Sequence, residues 1–345
     1  MKRLLALMLT LLLALPLIPA RAQGVVNVFN WEDYIDEEVI RLFEEETGIK
    51  VNYMRFTLNE DMLVQVRTSP GAFDVVFPSD YAIERMIAEN LLQPIDFDQV
   101  PNEVHTLDWL RNPDYDPGHV HSVPYMWGTV GILYDTTRVE APIDSWGALF
   151  EDTYKGEVFM LDSPRDTLGV ALKYLGYSVN SKNPEEIKAA ADLLIKQKED
   201  GIVKAYQVDE TKDKMVAGEG ILAVMWSGDA QYAINLNPDL AYVVPKEGSN
   251  VWVDGMVVPK EAKNVENAYA FINFLARPDI AQMNVEYIEY STPNQAAIDL
   301  MGEDYTSNPN LNPSQETIDS CEFFHDNQDV KVLYDTFWGM VKNAK

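Results

Sequence analysis

The sequence predicts an α/β protein built as two lobes, and three observations predict it. The chain has 345 residues, and removing a 22-residue leader leaves 323, above the roughly 250–300 at which a single core stops growing. An apolar fraction of 47% and a charged fraction of 24% are those of an ordinary globular protein, so a core can form. Short β-rich runs alternate along the chain with amphipathic helical segments.

The elements follow in order. Lys2 and Arg3 precede an apolar run over residues 4–18, and Ala20-Arg21-Ala22 then gives the small-x-small spacing of a cleavage site. The run holds 15 residues and Pro16, short of the roughly 20 that a membrane-spanning helix needs. Residues 1–22 therefore read as a signal peptide cleaved near Ala22, and the mature chain as exported. No cysteine follows the cut to carry a lipid.

The mature chain opens with a strand over 25–29. Asp36 then caps a helix that buries Val39, Ile40 and Phe43 and stops at Gly48, and a second strand over 50–56 completes a strand–helix–strand unit. A third strand spans 73–77, with Asp80 ahead of a helix over 81–90. Further strands fall at 157–161, 221–226 and 240–244. Asn183-Pro184 opens a helix over 185–198, and the apolar face of 268–275 ends before Pro278. Residues 111–119 and 306–314, rich in Pro, Asn and Asp, are loops.

Charge excludes several functions. There are 27 Lys+Arg against 55 Asp+Glu, a net charge of −28, and the leader carries three of the positive charges. Without a basic cluster the chain has no means of binding nucleic acid or an anionic membrane surface. The one cysteine, Cys321, cannot form an internal disulfide and reads as a small, partly buried hydrophobe.

Common catalytic spacings are missing: there is no Gly-rich phosphate loop, no G-x-G-x-x-G, no G-x-S-x-G and no H-E-x-x-H. His119 and His121 stand two apart and read as a solvated loop pair rather than metal ligands. Paired carboxylates of the kind a glycoside hydrolase uses remain an open alternative, because an acidic chain always offers such pairs.

What the sequence does offer is an aromatic near a carboxylate, repeated past the ends of strands, the edge at which open α/β sheets bind ligands. The segments are Asn30-Trp31-Glu32-Asp33-Tyr34, Pro78-Ser79-Asp80-Tyr81, Asp162-Ser163-Pro164-Arg165-Asp166, Trp226-Ser227-Gly228-Asp229, Trp252-Val253-Asp254-Gly255 and Tyr290-Ser291-Thr292-Pro293-Asn294. A ligand suited to flat rings and carboxylates together is an organic cation with an apolar body. Ring faces attract ammonium groups, carboxylates hydrogen-bond them, and methylenes bury against indole and phenol. A polyamine meets all three terms; a neutral sugar also stacks on Trp and bonds to Asp, so it stays open on this pattern.

Each residue also has an ordinary structural reading. Trp31, Trp226 and Trp252 read equally as core aromatics, and Asp33, Asp80 and Asp166 as helix caps. Tyr34, Tyr81 and Tyr290 are individually uninformative. Arg165 reads as an ion-pair former. Asp254, in an apolar strand, is costly to bury unpaired and so favours a functional role.

These segments, together with Glu46-Thr47-Gly48-Ile49-Lys50-Val51, Asp74-Val75-Val76-Phe77-Pro78-Ser79, Pro124-Tyr125-Met126-Trp127-Gly128, Tyr154-Lys155-Gly156, Leu175-Gly176-Tyr177-Ser178, Pro245-Lys246-Glu247-Gly248, Arg277-Pro278-Asp279 and Thr292-Pro293-Asn294, resemble one family in order and spacing. It is the substrate-binding proteins of polyamine ABC transporters, the spermidine/putrescine-binding type, and the match spans essentially the whole mature chain. The resemblance implies a two-lobed periplasmic binding protein fold of type II, its hinged lobes closing on a ligand cleft. It implies a first lobe of residues 23–129 and 254–298, a second of 130–253 and 299–345, and hinges near 128–131 and 250–254.

Carried over position by position, Trp31, Asp33, Tyr34, Ser79 and Tyr81 line one side of the cleft, and Asp166, Trp226, Trp252, Asp254 and Tyr290 complete it. Asp254 is expected to grip an ammonium, with Trp226 and Trp252 sandwiching the aliphatic chain. The pattern mixes two types: Ser163 stands where the spermidine type has a carboxylate, Phe324 where it has a polar Gln, and Asp33 resembles the putrescine type.

The function implied is capture of putrescine and/or spermidine in the periplasm and delivery to the membrane permease of an ABC transporter. The protein is expected to be a monomer without cofactor, metal site or enzymatic activity. ATP hydrolysis falls to a separate subunit. The alternatives are the same fold turned to another small solute such as a sugar, or a secreted carboxylate-pair glycoside hydrolase.

Overall fold

The computed structural model describes residues 24–345, so the expected signal peptide lies outside the described residues. Strand β1 (Gly24–Trp31) runs parallel to β2 (Ile49–Phe56) across helix α1 (Glu37–Thr47). Local chemistry fixes both ends of α1. The Asp36 carboxylate accepts from Glu38 N, and Gly48 takes the left-handed conformation at φ 75° and returns its N–H to Glu44 O. Helix α2 (Asn59–Thr68), strand β3 (Val75–Val76) and helix α3 (Asp80–Ala88) follow, β3 pairing with β1.

Strand β4 (Ser122–Asp135) is 14 residues long and buried throughout. Beyond it come β5 (Val158–Leu161), α4 (Pro164–Tyr174), α5 (Pro184–Glu199), β6 (Val203–Gln207), α6 (Glu210–Val216), β7 (Leu222–Trp226), α7 (Ser227–Leu236), β8 (Leu240–Val243) and β9 (Val251–Val257). Helices α8 (Val265–Leu275), α9 (Pro278–Ile288), α10 (Gln295–Met301), α11 (Glu303–Thr306), α12 (Gln315–Asp319) and α13 (Lys331–Asn343) complete the chain. Asn183 caps α5 by accepting from Glu185 N, with Pro184 in the first turn, as the sequence predicts.

The strands run in the order β2-β1-β3-β9-β4-β7-β5-β6, with β8 also on β4. Strand β4 serves two sheets in succession: Ser122–Thr129 pair with β9, whereas Val130–Tyr134 pair with β7 and Ile132–Asp135 with β8. Its length thus carries the chain from one lobe into the other. The strand alternation splits each lobe's core in two. Val28 packs with Phe43 and Phe271 on one face of the first sheet, and its neighbour Phe29 with Met62 and Ile83 on the other. In the second lobe Ile132 packs with Trp146, Leu168 and Leu194, and Leu133 with Phe159 and Met215.

Two boundaries differ from expectation. Strand β9 lies wholly on the first sheet, with Val251 and Val253 packed beside Phe29, because it pairs with the first half of β4. Residues from 299 onward do not return at once to the second lobe. Tyr305 enters the Val28–Phe43 core, where its hydroxyl accepts from Thr292 N at 3.1 Å, and Ile318 and Phe323 lie against the Phe29 face. The return comes with α13, which buries Tyr334 and Val341 in the second lobe. No helix among the described residues is long and apolar enough to cross a membrane.

Candidate functional site

Asp254 is the centre of the arrangement. It sits in the middle of β9, 6% exposed, and its carboxylate accepts two hydroxyls from distant parts of the chain. Tyr34 Oη donates to Oδ2 at 2.8 Å and Ser79 Oγ to Oδ1 at 2.7 Å. Ser79 occupies the cap position of α3 yet makes no cap bond with its side chain. That sacrifices about 1 kcal/mol of capping to hold the carboxylate instead. A bridge between Ser79 and Asp254, with Gly255 N donating to Pro78 O at 3.0 Å, fixes the approach.

Asn59 organises the same side. Its Nδ2 donates to Ser79 Oγ and to Tyr81 Oη, both at 3.0 Å, while its Oδ1 accepts from Ser79 N at 3.2 Å. Trp31 ends β1 with its indole N–H on Phe77 O at 2.8 Å, and Tyr125 Oη donates to Tyr34 O at 2.8 Å. Tyr290 meets Trp252 edge-on with centroids 5.0 Å apart, and Tyr34 at 6.1 Å.

The second lobe brings Trp226, at the end of β7, beside the carboxyl of Asp166 in the first turn of α4. Several contacts join the lobes. Tyr290 Oη donates to Asp229 Oδ2 at 3.0 Å, Asn235 Nδ2 to Glu289 Oε1 at 3.2 Å, and the Arg165 guanidinium lies 4.6 Å from the Tyr81 ring centroid. Asn308 and Asn310 add theirs by donating to Gln231 Oε1 at 2.9 and 3.0 Å.

The electrostatics are unusual for so acidic a chain. Burial pushes Asp254 up to about 6, against the lowering effect of the Ser79 and Tyr34 hydroxyls. Burial raises Asp80 to about 8, opposed by the Tyr81 N–H and Arg165. Burial likewise raises Asp166, despite Ser163 and Arg165, and Asp229, despite Lys212. A set of carboxyls that resist ionisation because they are buried is one that a cationic ligand relieves. The Trp252 indole N–H is also buried with no partner among the described residues. What such a site can do is enclose a cation with an apolar body.

With that geometry in hand, comparison with known proteins decides the family. The family model of the bacterial extracellular solute-binding proteins matches residues 38–313. The chain belongs to this family. It is 35% identical over 320 residues to the spermidine/putrescine-binding periplasmic protein of Salmonella typhimurium, covering 92% of this chain and 91% of the relative. Among solved structures, a putative spermidine/putrescine ABC transporter protein from Listeria monocytogenes is 38% identical with a TM-score of 0.86, over 93% of this chain and 99% of that one. The spermidine/putrescine ABC transporter substrate-binding protein PotD from Streptococcus pneumoniae gives 37% and 0.84, with the same coverage. The two-lobed solute-binding fold is thus established for this chain.

Within this solute-binding protein, the predicted residues fall as follows. Tyr34 and Ser79 each donate to Asp254; Tyr81 joins them through Asn59; Trp252 and Tyr290 stand together; Asp166 pairs with Trp226. Asp33 is exposed in the turn after β1, at φ 48°. Neither Asp33 nor Asp166 is a cap: Asp36 caps α1, and Ser163 caps α4 by accepting from Asp166 N. Asp80 is not one either, since it is the first residue of α3 and its side chain turns into the protein, 0% exposed.

Among the described residues Arg165 makes no ion pair; it stacks between Tyr81 and Phe324, 4.4 Å from the latter's centroid, and donates to His325 O at 2.7 Å. His119 and His121 are half-buried against Glu103 and Asp116, fastening a loop rather than standing in solvent. Among the described residues no three His, Cys, Asp or Glu side chains gather as a metal site. Sequence reasoning passed over Asn59, Asp229 and Lys212. Asp229 carried a signal in Trp226-Ser227-Gly228-Asp229; Asn59 carried none.

Proposed function

We propose that this solute-binding protein captures a polyamine, putrescine and/or spermidine, in the cleft between its lobes and delivers it to the permease of an ABC transporter. The observation that carries the reading is Asp254, a carboxylate held by Ser79 and Tyr34, with Tyr290 edge-on to both Tyr34 and Trp252. An ammonium placed against Asp254 gains a charged hydrogen bond of about 1.5–3 kcal/mol and ring faces worth about 0.5–2 kcal/mol. Trp226 and Trp252 then cover the methylenes, and Asp166 or Asp33 takes the further ammonium. The names borne by the Salmonella, Listeria and Streptococcus relatives support the same ligand class.

The protein acts as a clamp. Ligand engages both lobes only when they are closed, so binding shifts an open–closed equilibrium. It works outside the cytoplasm as a monomer, after removal of residues 1–22, and performs no chemistry of its own.

A melting-temperature screen tests the ligand class. Ligand-free protein is heated with diamines, polyamines, basic amino acids and neutral sugars; a rise with polyamines alone is the expected result, and a rise with a sugar alone overturns the reading.

A further inference from the structure

The aromatic wall is seated in two glycine notches. A Cβ at Gly128 on β4 would lie 2.6 Å from Trp252 Cζ2 and 2.8 Å from Ser227 Oγ. One at Gly228, the second residue of α7, would run into Cδ1 and Cε1 of Tyr290 and lie 2.7 Å from its Cγ. Neither glycine has a positive φ, so it is space and not backbone conformation that excludes a side chain.

The two notches join different things. Gly128 and Trp252 are partners on paired strands of one sheet. Gly228 and Tyr290 belong to different lobes: α7 packs Ala230 and Ala233 against Phe159 and Leu133, whereas Tyr290 follows α9 on the other side. Helix α7 holds the ring there through Asp229, which accepts from its hydroxyl at 3.0 Å, and holds the preceding residue through Asn235, which donates to Glu289 at 3.2 Å. Trp252 and Tyr34 stand edge-on to it, with centroids 5.0 and 6.1 Å away.

We propose that Gly228 licenses closure: bare backbone at the start of α7 lets the Tyr290 ring seat between the lobes, and neither lobe needs it in order to fold. The inference rests on the clamp reading above. Alanine is a better helix former than glycine, so a methyl at this position does not harm α7 itself. Its burden falls only where Tyr290 is seated, as overpacking at a contact that exists when the lobes are closed. Gly228 is thus a positioning residue, acting on the ligand through Tyr290.

The test traps the closed form without needing a ligand. Asn235→Cys and Glu289→Cys are introduced together with Cys321→Ser, and disulfide formation between the lobes is timed with and without Gly228→Ala. The expected result is closure trapped at least about tenfold more slowly in the Gly228→Ala protein, with circular dichroism and the urea midpoint matching the parent. Adding Tyr290→Ala to both proteins should equalise their rates, because the clash is with that ring. Equal trapping with Tyr290 intact, a lowered urea midpoint, or slow trapping that persists without the ring would each overturn the proposal. Putrescine and spermidine are added in a separate arm. If they fail to speed trapping in the parent while the Gly228 effect stands, it is the polyamine reading that fails and not the closure role.

Discussion

Tyr34 and Asp254 are 220 residues apart in the chain and meet at 2.8 Å, hydroxyl on carboxylate, the tyrosine three residues past the end of β1 and the aspartate in the middle of β9. The contact fixes a buried acid on the strand that pairs with the first-sheet half of β4. Burial makes the acid costly to ionise, and the Tyr34 hydroxyl offsets part of that cost.

That cost predicts a trade between stability and binding at Asp254. Its folded-state value of about 6 lies above the ordinary 3.8, so at neutral pH the ligand-free protein is penalised by about 3 kcal/mol. Asp254→Asn keeps the shape and removes the charge. In urea unfolding at pH 7.5 the variant should be more stable than the parent by about 1–3 kcal/mol, while polyamine affinity falls about 10- to 150-fold. A variant both less stable and fully able to bind would contradict the assignment.

The same group sets the pH dependence of binding. A cation prefers the ionised form, so affinity is constant above about pH 7 and falls as pH drops through about 6, approaching tenfold per unit. Burial raises Asp166 and Asp229 in the same direction. Titration calorimetry in buffers of different ionisation enthalpy should record proton release near pH 6. A flat profile from pH 5 to 8 is the contrary result.

Asp80 gives an opposite kind of control. Held near 8 by burial, it is protonated in the folded protein and ionised in the unfolded chain between about pH 4 and 8. Over that window the unfolded state binds fewer protons, so this group's contribution to stability falls as pH rises, by about 1.4 kcal/mol per unit. Asp80→Asn removes the slope. Its stability relative to the parent should grow steadily from pH 5 to pH 8, and a constant difference across that range would refute the buried, protonated state.

Asn59 is not itself an expected ligand contact, but it holds two residues that are. Asn59→Ala frees both Ser79 and Tyr81, and two hydrogen bonds at about 1 kcal/mol each correspond to a 10- to 30-fold loss of affinity. Binding that survives unchanged by calorimetry would show that Ser79 and Tyr81 are positioned by their own elements.

How much of this was legible depends on how local the signal is. Helix α1 could be read from Asp36 and Gly48, because a cap and a left-handed stop are written in adjacent residues. Strand β4 could not be delimited, since burial on both faces along all 14 residues erases the alternation that marks a half-buried strand. The site showed the same division. The aromatic and acidic residues just past strand ends were visible as segments, but which hydroxyl would meet Asp254 depends on a register between β1, β9 and the start of α3 that no local spacing encodes. Asp80 read as a cap because the sequence does not say which way its side chain turns. The detour of Tyr305 into the first core was hidden for the same reason, as its partner Thr292 lies across a helix.

The measurement that bears most directly on the central claim is calorimetric titration of the protein, unfolded and refolded to strip retained ligand, with putrescine, cadaverine, spermidine and spermine. The account predicts one-to-one binding of at least one of them, lost in Asp254→Asn. Folded protein that takes up none of the four, or binds them equally well without the Asp254 carboxylate, would contradict it.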